Sequence, residues 1–243
     1  NSMKIVISPL YVSQADFIRL LPERLDVGEA CEIIYDKRNR VGRFKHKGKT
    51  FIVKRFKRVN IIQRIVYTYF RKTKAERAYI FAEEFQRRGI ETPQRIAYME
   101  RKNCGLFTVG YFVCCEVPGT ETQLLLREVE NYPHELAEAV ARQVERMHSH
   151  GVLHGDLNLS NFLCRREADG YHFMMIDTNR SHFCSGYPTD DECLKNMVRM
   201  THRRDLYEDL VRRYASLRGW DSDSTAKKAM QLLDRFENRR LRL

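Results

Sequence analysis

The 243-residue chain has no apolar run approaching the ~18–20 residues of a membrane span. Its first residues, Asn1-Ser2-Met3-Lys4, carry no signal-peptide h-region and no small-residue cleavage site. A cytoplasmic protein is therefore expected. Low-complexity stretches, Gly/Ser linkers and repeats are absent, which argues against linker-joined or repeat architectures. The seven cysteines (31, 104, 114, 115, 164, 184 and 193) are odd in number and form no C-x-x-C pair, which fits reduced, partly buried thiols better than a disulfide framework or a zinc site. Acid is in short supply: 32 Asp and Glu stand against 43 Lys and Arg, a net charge of +11. That balance calls for an anionic partner such as nucleotide, nucleic acid or a membrane surface. The apolar fraction, 43%, is too high for disorder and suffices for a core in one large domain or two small lobes.

The chain changes character near its middle. Residues 32–35 and 41–44 read as short strands around a polar tip, and Thr50 to Phe56, β-branched and aromatic, is the best strand of the sequence. Ala75, Ala78, Tyr79, Ala82 and Phe85 recur at helical spacing until Gly89 and Pro93 break the pattern. Leu106 to Val117 reads as two strands or one bent one, closed by Pro118-Gly119. Beyond it Leu136, Val140, Val144 and Met147 line one helix face, Gly151 ends that helix, and the chain from about Thr189 is helical. A strand-rich part followed by a helix-rich part predicts two lobes, 1–117 and 118–243, within one α+β domain.

The strongest chemical signal is His154-Gly155-Asp156, with Asn161 five residues after the aspartate and a strand from Tyr171 to Ile176 that runs into Asp177. A bare Gly-Asp turn after a helix is the bland reading, but helix, loop, asparagine spacing, strand and second aspartate occur here in order. That order resembles the catalytic loop of the protein-kinase-like superfamily, H-x-D, four residues, N, then a strand and a metal-binding Asp. The resemblance implies a two-lobed kinase-like fold, a small antiparallel sheet with one helix followed by a helical lobe. It implies that Asp156 orients or deprotonates the attacking hydroxyl, that Asn161 and Asp177 hold Mg²⁺ against ATP, and that His154 braces the loop. Lys54, on the strand 51–54, resembles the lysine that reaches the nucleotide phosphates. The family then implies a helix glutamate beside it, Glu76 first, with Glu83 and Glu84 as alternatives. Glu116 and Val117 fall where the interlobe hinge would meet adenine.

Two departures stand out. Asp36 to Val41 holds no G-x-G-x-x-G, so Lys37, Arg38 or Arg40 would have to cover the phosphates instead. Asp177-Thr178-Asn179-Arg180 replaces D-F-G and no A-P-E follows, which argues against a conventional protein kinase.

Lys54-Arg55-Phe56-Lys57, the block from Tyr67 to Arg77, Gly89-Ile90-Glu91-Thr92-Pro93, Ile96-Ala97-Tyr98 and Ile176-Asp177-x-x-Arg180 together resemble bacterial lipopolysaccharide kinases of the Kdo/WaaP type. That resemblance covers about 32–180 and implies transfer of phosphate from ATP to a heptose or Kdo hydroxyl on lipid-linked inner core at the cytoplasmic face of the inner membrane. The basic residues between Lys54 and Arg77, interleaved with Ile61, Ile62, Ile65, Val66, Tyr67, Tyr69 and Phe70, suit an anionic headgroup surface, with a solvated helix face as the plain alternative. Nucleic acid is the less favoured partner. Two other readings share the motif: a small atypical protein kinase of the RIO or KEOPS type, and a catalytically inactive kinase fold used as a binding module. His148 and His150 read as helix-end histidines, and Asp190-Asp191-Glu192 as a helix N-terminus.

Overall fold

A computed structural model describes residues 2–241, which divide into two units: the described chain up to Glu84 with Pro93–Val117, and Phe85–Thr92 with the chain from Pro118 on. The first unit is built on a six-stranded antiparallel sheet. In chain order its elements are β1 (Ser2–Ile7), α1 (Ala15–Val27), β2 (Glu32–Asp36), β3 (Arg40–His46), β4 (Lys49–Arg55), α2 (Ile61–Tyr69), α3 (Lys74–Arg87), β5 (Arg95–Asn103) and β6 (Leu106–Cys115). The strand order is β1-β5-β6-β4-β3-β2. The α+β class read from the sequence is what is found.

Strand alternation gives this sheet two apolar faces. On one, Phe44, Phe51, Val53, Val109, Tyr111 and Val113 pack with Ile18, Leu21 and Leu25 of α1. On the other, Tyr98 and Phe112 meet Ala75, Ala78 and Tyr79 of α3. Small residues let both helices approach: a Cβ on Gly42 would lie 2.7 Å from Leu25 Cδ1, and one on Gly110 would lie 2.8 Å from the Ala75 Cβ. One helix was expected here, and α1 and α2 are additional. Pro22 inside α1 hides it, because proline removes a helix donor and reads as a breaker.

The C-terminal end of α1 is tied to three strands through one carboxylate. Asp26 accepts from Arg55 Nη1, Arg101 Nη1 and the Tyr111 hydroxyl, each at 2.8 Å. Burial by itself would raise the Asp26 pKa, but these three donors outweigh it and hold it below the usual value. Arg40 is also spent here, donating to the Leu25 and Asp26 carbonyls at 3.1 and 2.8 Å. It caps the helix and is not a phosphate-covering side chain, which corrects that expectation.

The second unit contains β7 (Thr120–Glu121), α4 (Thr122–Leu126), α5 (His134–Ser149), β8 (Val152–Leu153), β9 (Phe162–Glu167), β10 (Gly170–Met175), β11 (His182–Phe183), α6 (Asp190–Met197), α7 (Arg204–Arg218) and α8 (Ser222–Arg240). Leu136, Val140, Val144 and Met147 are all buried on α5, as their spacing predicts. They join one core with Leu206, Leu210 and Tyr214 of α7 and Leu233 of α8. The acidic run at 190–192 opens α6 behind a capping box between Thr189 and Glu192.

Replacing Asp26 by Asn leaves Arg55 and Arg101 half-buried without their anion. The expected loss is about 1–3 kcal/mol, discounted for partial exposure. An aspartate with a depressed pKa stabilises above its unfolded value and loses that contribution as pH falls through the folded one. Urea unfolding of wild type should therefore weaken towards acid below about pH 4, and Asp26→Asn should show a shallower acid limb.

Candidate functional site

In the second unit the chain reverses sharply after α5, and the reversal is closed by hydrogen bonds rather than by regular structure. The buried imidazole of His154 accepts the Asp156 N–H at Nδ1 (3.0 Å), so its own proton sits on Nε2 and is donated to the Ile176 carbonyl at 2.8 Å. Asn161 Nδ2 donates to the Asp156 carbonyl at 2.8 Å, and the Ile176 N–H donates to the Asn161 carbonyl at 3.0 Å. Four bonds thus form a ring through His154, Asp156, Asn161 and Ile176. The ring brings three residues that are far apart in sequence into one place: Asp156, Asn161, and Asp177 directly after Ile176. Burial lowers the pKa of His154, partly offset by its bond to Ile176 and by nearby Asp177 and Asp156, so the ring stays neutral and braces the loop.

The glycine of His-Gly-Asp has a steric cause. A Cβ on Gly155 would lie 2.1 Å from the Arg180 carbonyl oxygen, so only glycine lets the turn after Asp177 press against the loop. Within that turn Ser181 N–H donates to the Thr178 carbonyl at 3.1 Å, and Thr178, Asn179 and Ser181 are buried. Asp177 itself is exposed and holds φ +57°, a left-handed conformation that costs energy for a non-glycine residue and concentrates at functional sites. The amide nitrogen of Asn161 is committed to Asp156, which leaves its oxygen as the free end.

A second layer was not foreseen from the sequence. The His154 carbonyl accepts from Asn196 Nδ2 (2.7 Å), the Asn196 oxygen meets His148 Nε2 (3.0 Å), His148 Nδ1 meets the Tyr214 hydroxyl (2.7 Å), and Arg218 donates to that hydroxyl (2.5 Å). His148 is therefore a buried link and not merely a helix-end residue, whereas His150 is exposed. The available signal was that His148 follows Met147 and lies four residues after Val144, on the buried face of α5. Nothing in a single sequence joins it to Asn196.

In the first unit Lys54 lies opposite Phe112 on β6 and Val41 on β3. Partners across a ladder share a face, so Lys54 is on the side covered by α3. Its Nζ lies 5.1 Å from the Phe56 ring centroid. Of the three helix glutamates, Glu83 is held by Arg95 at 2.9 Å. Glu76 is in the first turn of α3, its N–H accepted by Thr73 Oγ1 at 3.1 Å, while Thr73 donates to buried Glu100 at 2.7 Å. Glu84 is half-buried one residue beyond Glu83. Glu116 binds Arg43 through its side chain at 2.6 Å, and its amide donates to the Thr50 carbonyl at 3.3 Å. Val117 follows, half-buried.

Residues 34–213 match the model of the lipopolysaccharide kinase (Kdo/WaaP) family. No curated protein matches the chain in sequence. Among solved structures, one of WaaP in complex with acyl carrier protein is similar over 97% of both chains, with 20% identity and a TM-score of 0.60. The Rio2 kinase–ADP/Mg²⁺–phosphoaspartate complex from Chaetomium thermophilum matches 92% of this chain and 77% of its own, at 16% identity and a TM-score of 0.49. WbdD matches 80% of this chain and 44% of its own, at 17% identity and 0.46. The likeness to WaaP shows the fold.

The buried histidines give the second unit an acid sensitivity. Burial lowers His148 from 6.5 to about 4, against a smaller opposing effect of Asn196. Between those values the unfolded chain binds a proton that the folded chain refuses, so stability falls as pH drops through that window. The effect is on the order of 3 kcal/mol for this residue alone. His148→Gln should flatten the pH dependence of urea unfolding between pH 6.5 and about 4 while lowering stability at neutral pH by about 1–3 kcal/mol.

Proposed function

The chain belongs to the lipopolysaccharide kinase (Kdo/WaaP) family, and from that premise we propose that it transfers the γ-phosphate of ATP to a sugar hydroxyl, on heptose or Kdo, of the lipopolysaccharide inner core. The observation that supports the reading most is the hydrogen-bonded ring of the second unit, which makes one cluster of Asp156, Asn161 and the approach to Asp177. Phosphoryl transfer asks a protein mainly for position and for stabilisation of charge. Asp156 has both backbone polar groups engaged, its N–H by His154 and its carbonyl by Asn161 and the Asn158 N–H, so its carboxylate is aimed by the backbone. It orients the acceptor hydroxyl and takes its proton as the oxygen–phosphorus bond forms.

The donor set also fits Mg²⁺. Asn161 offers an amide oxygen, because its nitrogen is bound elsewhere, and Asp177 offers a carboxylate, both hard oxygen ligands. The ion would neutralise charge on the nucleotide phosphates when bound. In the first unit the family resemblance assigns Lys54 to nucleotide phosphate, Glu76 to its helix partner, and the Val117 backbone, next to the tethered Glu116, to the adenine edge. Glu83 is the weaker choice for Lys54 because Arg95 already holds it.

Among the described residues no helix is long and apolar enough to cross a membrane. The acceptor is lipid-linked, so the enzyme works as a peripheral protein on the cytoplasmic face of the inner membrane.

Labelled ATP, Mg²⁺ and fractionated envelope lipids test the reading directly. Asp156→Ala should lower phosphate transfer by about 10²–10⁴-fold with nucleotide affinity nearly unchanged. Asp177→Ala should lose magnesium-dependent nucleotide binding as well. Equal loss of Mg·ATP affinity in both variants would show that the two roles are misassigned, and full transfer by Asp156→Ala would end the proposal.

A further inference from the structure

Helix α2 is amphipathic the wrong way round. Tyr67 and Thr68 hold it to β6: the Tyr67 and Phe107 rings meet edge-on at 5.7 Å, and Thr68 Oγ1 accepts the Phe107 N–H at 2.9 Å. Its apolar residues point elsewhere. Ile61, Ile62, Ile65 and Tyr69 fall within one arc of about 100° at the helical period, and they are 58, 69, 43 and 69% exposed. Phe70, at the C-terminal end, is 78% exposed. No residue of α2 is buried, yet the helix is properly started, with Asn60 accepting the Gln63 N–H at 2.9 Å. Three isoleucines and a tyrosine held in water on one face, with an exposed phenylalanine at its end, are not explained by packing within the chain.

The charges around that face say what covers it. Exposed Lys57 and Arg58 precede the helix and exposed Arg71 and Lys72 follow it, with no exposed acid between Lys57 and Lys72. An aliphatic centre, aromatic rings at one end and cations at both ends match an anionic phospholipid surface, with side chains in the acyl boundary and basic groups at the phosphates. We infer that α2 is an interfacial anchor, inserting Ile61, Ile62, Ile65, Tyr69 and Phe70 into the anionic leaflet. The inference rests on the lipid-linked acceptor proposed above for its purpose, but not for its geometry. Insertion adds a hydrophobic part to binding that salt does not screen, whereas adsorption by basic residues alone would be screened away.

The test uses vesicles of phosphatidylglycerol with phosphatidylethanolamine, and neutral phosphatidylcholine vesicles as the control. Wild type should sediment with the anionic vesicles and should keep part of that binding between about 0.1 M and about 1 M sodium chloride, as the Debye length falls from about 10 to about 3 Å. The combined change Ile61→Ser, Ile62→Ser and Ile65→Ser replaces only exposed side chains and removes no buried one, so the fold persists. It should weaken the partition by about tenfold or more. Ile65→Trp should gain quenching by brominated lipid that wild type, whose one tryptophan is Trp220, does not show. Wild type that ignores anionic vesicles at low salt overturns the inference. So does a serine variant that binds like wild type, and so does an α2-dependent dimer in vesicle-free sedimentation, which would assign the face to a second copy. Phosphate transfer to a delipidated, water-soluble core oligosaccharide keeps the two proposals apart. The serine variant should retain that transfer in full, and only its loss in Asp156→Ala bears on the reaction itself.

Discussion

The site depends on one neutral imidazole. His154 accepts at one nitrogen and donates at the other, and this is possible only while burial keeps it uncharged. A protonated ring would have two donors and would face the Asp156 N–H with no lone pair. The ring of four bonds, and the meeting of Asp156, Asn161 and Asp177, therefore hang on the low-dielectric core around Phe85 and Val152. That core keeps His148 neutral too, so the outer chain of Asn196, Tyr214 and Arg218 fixes the loop from behind by the same means. Apolar packing and polar geometry are one device in this unit.

In the first unit the comparable constraint is strand register. Lys54 lies on the α3 side because Val53 and Phe51 are taken by the core on the α1 side, and a slip of one residue would exchange them. Asp26 helps hold that register. It fastens α1 to Arg55, the neighbour of Lys54, and to β5 and β6. The charge on Arg55 is thus structural, and its neighbour Lys54, alike in the sequence, lies on the opposite face of the sheet.

What was legible in the sequence was what short-range pattern encodes. The alternation of β4 and the apolar stripe of α5 were readable because each is a local consequence of backbone period, whereas the order of His154, Asp156, Asn161 and Asp177 was readable only through its resemblance to a kinase-like loop. The first helix was not: Pro22 reads as a stop, and only the packed Ile18, Leu21 and Leu25 show that the helix continues through it. Arg40 looked like its neighbours Lys37 and Arg38, since nothing local shows that it turns towards a helix end 14 residues back. The link from His148 to Asn196 spans 48 residues and is invisible to periodicity. The isoleucines of α2 were legible as apolar, but only the folded structure shows that they face out.

The closeness of Gly155 to Arg180 bears on motion as well as on composition. With the Arg180 carbonyl seated where a methyl group would be, the turn after Asp177 and the peptide before Asp156 have no clearance between them. Neither can slide or flip alone. A push on one is delivered at once to the other, and the Ile176 bonds transmit it as well. The two segments are thus fitted to each other, and a displacement of the turn after Asp177 requires room that the peptide before Asp156 must give up.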